Sequence, residues 1–382
     1  MSWNLMTDNA ISENDRSVLS NFVLNSGKLT QGPVVKEFER RWSEWLGCKY
    51  SVFVNSGSSA NLLIARALAE ENQTWVCQAS TWITNVSPVI QNNLKLILCD
   101  IDLHNFGPKL EYLEDIFQKN ENCVLFLTHF IGIPAITKEL LALCEKYNVT
   151  LVEDCCESHG ATYQNVRVGN FGVASSFSFY YGHHMTTIEG GMVCTNDEEL
   201  YNQFLLLRSH GMLRELPSEV QSRPEYHFEE CDPRFTFIRD AYNVRSSDLN
   251  AKLGLEQLPR LDSIIESRNE NYRAFYGRLD NSKYHFDFAV DEPYGLSSFC
   301  LPIIPKNGNL QDVKSLLDRL NVESRPFIGG NLSRHPIFQI NQCNKTDLKN
   351  VEYLNYNCVY VGNHQDVNVD MVTDLADSLN CF

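Results

Sequence analysis

Residues 175–196, SSFSFYYGHHMTTIEGGMVCTN, read as a strand that feeds an exposed loop and turns back into a second strand. Ser176 to Tyr180 alternate small and aromatic side chains, as a buried strand does, and Gly182 releases the backbone just before His183 and His184. Gly190 and Gly191 close the excursion, and Met192 to Thr195 resume a strand. A histidine on such a turn suits proton transfer, because its unperturbed pKa of about 6.5 leaves much of it neutral near pH 7.

Upstream of this stretch, strands and helices alternate. Tyr50–Val54 is a short apolar strand that runs into Asn55-Ser56-Gly57-Ser58-Ser59-Ala60-Asn61 and a helix to Leu68. Small residues between a strand and a helix start let backbone N–H groups approach an anion, although the same turn is as often only a cap. Further strands are expected at Trp75–Ala79, Leu96–Cys99, Val124–Thr128 and Thr150–Glu153. Helices are expected between them at Asn85–Gln91, Leu110–Lys119 and Ala135–Tyr147. The pattern predicts an α/β fold with a mostly parallel sheet flanked by helices, whose ligands sit beyond the carboxyl ends of the strands. Gly57, Trp82, Asp154 and His183 all fall just after such ends.

At the chain's start, Ser12 or Asn14 can cap a helix to Asn25, and Val34–Leu46 carries an apolar stripe of Phe38, Trp42 and Trp45 that reads as core. Downstream come helices at Asp197–His210 and Ser247–Leu258, separated by a charged, proline-punctuated connection and by Tyr242-Asn243-Val244-Arg245. Residues 1–260 are expected to form a large domain, and residues 261–382 a smaller α+β domain entered through a long helix, Arg260–Asn281. Its strands are expected near Phe286–Ala289, Ser297–Ile303 and Val322–Arg325, and its helices near Leu310–Leu320 and Val351–Val359.

The 382 residues are 43% hydrophobic with a formal charge of −16, which disfavours nucleic acid or an anionic membrane surface while leaving room for a local basic pocket. The 13 cysteines are scattered with no CxxC pair, and their odd number fits reduced thiols and a cytoplasmic protein. The start, MSWNLMTDNAISENDRS, lacks the basic-then-apolar run of a secretory signal, and no apolar stretch reaches about 18 residues, so neither export nor membrane spanning is expected.

The pattern F-S-F-x-x-x-[K]-x-x-T-T-x-E-G-G-M-V resembles the cofactor loop of the vitamin-B6-dependent DegT/DnrJ/EryC1/StrS sugar aminotransferases, where the bracketed lysine tethers pyridoxal phosphate. That position is His183 here, and no lysine occurs between Lys146 and Lys252. The resemblance runs from the Gly32-Pro33 turn to Val361-Gly362-Asn363-His364, and histidine at the lysine position points to the sugar 3-dehydratase branch. It implies a fold-type I architecture whose large domain has a seven-stranded sheet.

By the same resemblance, Asp154 would keep the cofactor's ring nitrogen protonated and Trp82 would stack on its face. A helix-capping aspartate and a core or interface tryptophan are the plainer alternatives. Gly57, Ser58 and Ser178 would hold the phosphate, Glu157 would face the ring oxygen where the family shows glutamine, and Asn243 would reach the phosphate of a second subunit. The last role implies a homodimer with shared active sites. His184 is expected to be structural, to orient His183 or to line the substrate pocket, and His210, Arg245 and Arg325 are substrate-binding candidates. No metal is expected, since adjacent His183 and His184 cannot easily face one ion. An iron–sulfur cluster, with Cys156 as a first ligand, lacks the closely spaced cysteines it would need after His210.

The function so implied is removal of the 3-hydroxyl from a nucleotide-linked 4-keto-6-deoxy sugar, GDP-linked by preference and hexose or heptose, with pyridoxamine phosphate as cofactor and L-glutamate as amino donor. His183 would move the proton, and the product would feed surface-polysaccharide synthesis. An aminotransferase and a catalytically silent binding protein are the alternatives.

Overall fold

The computed structural model describes residues 3–306, 308–341 and 343–381. Its main sheet is built from β1 (Tyr50–Val54), β2 (Thr74–Gln78), β3 (Lys95–Cys99), β4 (Cys123–Thr128), β5 (Thr150–Asp154), β6 (Ala174–Ser178) and β7 (Gly191–Thr195). The interiors of β2, β3, β4 and β7 are continuous apolar runs because helices cover both faces, while β5 and β6 bury Glu153, Ser175 and Ser176 among them; Val52, Phe53, Val76, Phe126 and Val152 are all fully buried.

An eighth strand corrects the expected seven. β10 (Asn344–Lys345) follows β8 (Cys300–Ile303) and β9 (Ser324–Pro326) in the chain and pairs parallel with β3, Asn344 opposite Ile97 and Lys345 opposite Leu98. It covers an edge that would otherwise leave a row of backbone groups unpaired, and its two polar residues carry no strand periodicity. The order across the sheet is β1-β7-β6-β5-β4-β2-β3-β10, with only β7 running antiparallel to its neighbours. The carboxyl ends of β1, β2, β5 and β6 therefore share one rim.

β8, β9 and β11 (Val359–Gly362) form a separate antiparallel sheet in the order β8-β11-β9. The expected strand at Phe286–Ala289 does not form. Phe288 packs on Phe106 and Tyr276, and the backbone bonds locally, Phe288 N–H to Phe286 O, or outward, Ala289 N–H to His104 O. The long helix spans Leu261–Arg278 and stops where Leu279 turns extended.

Ser12, of the two candidate caps, starts the first helix in a reciprocal capping box with Asp15. Phe38 and Trp42 are fully buried among Phe53, Phe177 and Phe179, behind the strand that carries the His183 loop. The segment before Ser12 straps across the molecule. Trp3 donates its indole N–H to Gly362 O at 2.9 Å, its backbone O accepts from Glu323 N–H at 2.8 Å, and Asp8 O accepts from the Tyr181 hydroxyl at 3.1 Å. No helix among the described residues is long and apolar enough to cross a membrane.

Candidate active site

At the rim, β1 ends and the helix Gly57–Leu68 begins, capped by the Ser56 hydroxyl, which accepts from Ser59 N–H at 3.1 Å. The N–H groups of Gly57 and Ser58 open the first turn, where no intrahelical acceptor exists and the helix dipole is positive. A Cβ at residue 57 would lie 2.6 Å from Ser178 Cβ and 3.0 Å from Cys156 Sγ, so only glycine allows the helix start to approach the end of β6. Gly57, Ser58, Ser178 and Cys156 thus form a small cradle of neutral donors suited to an anion.

Deeper in the same rim, Asp154 ends β5 almost fully buried. Its Oδ2 accepts amide N–H groups from Asn85 at 2.8 Å and Asn61 at 3.0 Å, and its Oδ1 accepts from Cys156 N–H at 2.9 Å. Asn85 is itself held by the Thr81 hydroxyl at 3.1 Å. All three donors are neutral, so a buried carboxylate is oriented and left with its charge uncompensated. Such a group is complementary to a cationic ring N–H.

Glu157, one turn on, accepts Ile131 N–H at 3.1 Å on Oε2. Burial, reinforced by the Asp154 charge, pushes its pKa up to about 8, so near pH 7 it is largely a neutral acid that can donate as well as accept. Burial and Asp154 likewise raise the Cys156 thiol well above its ordinary range.

His183 is half-buried on the loop between β6 and β7, its N–H bonded to Tyr180 O at 3.0 Å. Its ring lies 5.3 Å from that of Phe299, and its Nδ1 is enclosed without a partner. Burial, with the Arg268 charge second, pushes its pKa down to about 3, which keeps the imidazole neutral near pH 7. His184 points elsewhere. It is fully buried, with Nε2 3.1 Å from both the backbone O and the hydroxyl of Ser297. Ser297 is pressed onto Gly132, where a Cβ would fall 1.7 Å from Ser297 O and φ is +90°. His184 therefore packs the loop's underside and presents no surface to a pocket.

Trp82 follows β2 on the rim and is 56% exposed, free to lie against a flat ligand. His210, Asn243 and Arg245 form a separate strip: Arg245 Nε donates to Asn243 Oδ1 at 2.9 Å, and His210 N–H bonds to Tyr242 O at 2.6 Å. The strip meets the cradle through Asn55 N–H to Val244 O at 2.9 Å. Arg325 lies exposed on β9, opposite Tyr360 of β11, whose hydroxyl is raised in pKa by burial, Cys300 and Glu157. Arg325 thus borders the Glu157 side of the site.

Sequence reading missed Asn61, Asn85, Cys156 as a cradle residue, Phe299 and Arg268. Asn61 and Asn85 lie one turn into the segments that follow β1 and β2, a placement that could have signalled inward-facing amides. A buried trio, His129, Glu153 and Cys155, has metal-ligand chemistry, but Glu153 is already committed to the N–H groups of Gly169, Phe171 and Gly172 and to His129 Nε2. It is a structural clamp.

A family model described as the DegT/DnrJ/EryC1/StrS aminotransferase family matches residues 10–380. The chain is 33% identical over 372 residues to GDP-4-keto-6-deoxy-D-mannose 3-dehydratase of Escherichia coli O55:H7, covering 94% of each sequence. It superposes on the E. coli dehydratase with bound hydrated PLP at a TM-score of 0.89 and 28% identity, covering 99% of both chains. A GDP-4-keto-6-deoxymannose-3-dehydratase with a trapped PLP-glutamate geminal diamine superposes at 0.91, again at 28% identity, over 99% of this chain and 100% of that one. With a family match across nearly its whole length and relatives of this similarity, the chain belongs to the DegT/DnrJ/EryC1/StrS aminotransferase family.

Proposed function

We propose that this chain is a vitamin-B6-dependent 3-dehydratase that removes the C3 oxygen of a GDP-linked 4-keto-6-deoxy sugar, using L-glutamate as amino donor, in the cytoplasm and as a homodimer. The observation that carries this reading is the half-buried imidazole of His183, its Nδ1 enclosed, at the family's lysine position and on the same rim as Asp154, whose hydrogen-bond donors are all neutral. The similarity to GDP-4-keto-6-deoxy-D-mannose 3-dehydratases supports the substrate, and the structure with a PLP-glutamate adduct supports the donor.

The residues present fit the cofactor. Gly57, Ser58 and Ser178 would take its phosphate, Asp154 would hold the proton on its ring nitrogen, Trp82 would cover its face and Glu157 would meet its ring oxygen. Asn243 of one subunit would complete the phosphate site of another. We read residues 1–260 as the cofactor-binding unit and 261–382 as the smaller one.

When bound, pyridoxamine phosphate supplies an amine that condenses with the C4 ketone and a ring that takes up an electron pair. With no lysine in residues 147–251, this part of the chain would hold the cofactor without a covalent tether to its aldehyde form. His183 accepts the proton released beside the ring. With Nδ1 enclosed, Nε2 is the nitrogen that receives it, and the imidazolium returns it to the departing C3 hydroxyl. His210, Arg245 and Arg325 are left to bind the sugar or its diphosphate. Overall the sugar loses one oxygen atom, glutamate becomes 2-oxoglutarate, and ammonia is released.

Incubating the pure protein with GDP-4-keto-6-deoxymannose and glutamate, then weighing the sugar, tests this reading. A product lighter by one oxygen supports it. A product that has gained an amino group, or unchanged sugar with cofactor bound, refutes it.

A further inference from the structure

Arg268 is a buried cation beside His183 that the reaction outlined above leaves unused. It projects from the helix Leu261–Arg278 and is only 2% exposed. Its Nη2 donates to the backbone O of His183 at 3.3 Å and its Nη1 to the backbone O of Phe299 at 3.1 Å, while Nε has no partner. Among the described residues no carboxylate reaches ion-pairing distance of it, a costly arrangement for a buried guanidinium. Burial lowers its pKa only to about 10, so it stays cationic at neutral pH.

We propose that Arg268 is the positioning residue of the catalytic loop, its guanidinium tying the carbonyl of His183 to the carbonyl of Phe299 so that imidazole and phenyl ring are held as one unit. The inference rests on the reading of His183 as the base. The two carbonyls belong to segments far apart in sequence, and the rings they carry lie 5.3 Å apart. One side chain thereby fixes both the height of the loop and the wall behind the imidazole. A planar fork that serves two acceptors cannot be replaced by the single ammonium of lysine.

The unpaired charge has a second effect. The groups facing the imidazole are Arg268 from the long helix, His159 from the turn after β5, and Tyr180 and His184 from its own loop. Only Arg268 is charged among them, since burial keeps His159 and His184 neutral. A cation at this position disfavours imidazolium, so His183 waits as a base and, once protonated, gives its proton up readily.

Arg268→Lys and Arg268→Met test the two effects apart. Arg268→Lys retains the charge and loses the two-carbonyl bridge; kcat should fall about 10- to 100-fold with KM for glutamate within about 2-fold. Arg268→Met also removes the charge. In the cofactor-free protein, the His183 imidazole resonance, assigned by its absence in His183→Asn, should titrate at least about one pH unit higher than in the parent. An Arg268→Lys protein turning over within about 2-fold of the parent overturns the proposal, as does an Arg268→Met protein whose imidazole titrates where the parent's does. If Arg268→Met does not fold, the lysine variant decides alone. The titration needs no turnover, so an active His183→Asn protein would remove the base assignment while the effect of the Arg268 charge on the imidazole is still read from the resonance.

Discussion

Asn85 donates its side-chain amide to the Oδ2 of Asp154 at 2.8 Å, tying the loop after β2 to the end of β5 beneath the site. Asn61 binds the same oxygen, so two neutral amides from two different segments aim one buried carboxylate.

Asn85→Ala should therefore weaken the cofactor without disturbing the fold. Losing one hydrogen bond to a charged group is worth about 1.5–3 kcal/mol, a rise of roughly 10- to 100-fold in the dissociation constant of pyridoxal phosphate. Titration of the cofactor's absorbance measures it, and an unchanged constant would show that Asn61 alone orients Asp154.

His183→Asn should retain cofactor and lower kcat by about 10² to 10⁴, the usual cost of losing a general base. His184→Asn should do the opposite, keeping most of the turnover while unpairing Ser297 at a cost of about 1–3 kcal/mol in stability. Paired measurements of kcat and thermal midpoint separate the neighbours; a large kcat loss at His184 with an unchanged midpoint would reverse their roles.

If His183 stands at the tether position, as proposed, borohydride should not fix the cofactor to the chain, since residues 147–251 contain no lysine. Peptide mapping after reduction reads this, and a pyridoxyl-lysine peptide would contradict it.

Glu157 gives a pH test of known sign. Its ordinary value is 4.5, and the folded protein raises it to about 8. Between those limits the unfolded chain has released a proton that the folded chain retains, so stability falls as pH rises through the window. Glu157→Gln has no such proton. Its thermal midpoint in the cofactor-free protein should gain on the parent from about pH 5 to about pH 8, whereas equal slopes would mean that Glu157 ionises normally.

The rim was legible because β1, β2 and β5 read as short apolar runs and β6 as alternating small and aromatic residues, with the candidate site residues at or just after their ends. Position and local pattern singled out His183 and Asp154, whereas the roles proposed for them came from the family resemblance. Asn61, Asn85 and Arg268 lie inside or beside helical segments, where a polar side chain ordinarily faces water. Their inward orientation is decided by segments distant in sequence. Lys345 in β10 failed for a different reason: a two-residue strand has no alternation, and its pairing depends on an edge already built elsewhere.

The strap that fastens Trp3 to Gly362 and Glu323 also bears on the order of events during folding. Trp3 and Gly362 are 359 positions apart in sequence, and the sheet edge at β3 is likewise covered by the distant Asn344 and Lys345. Contacts of such long sequence separation close late, after a large loop-closure cost. The loop holding His183 is touched from both directions, by Asp8 on Tyr181 and by Arg268 on the His183 carbonyl. Much of the sheet can thus assemble before the strap is seated, so the loop that carries His183 should be among the last parts to acquire its final shape.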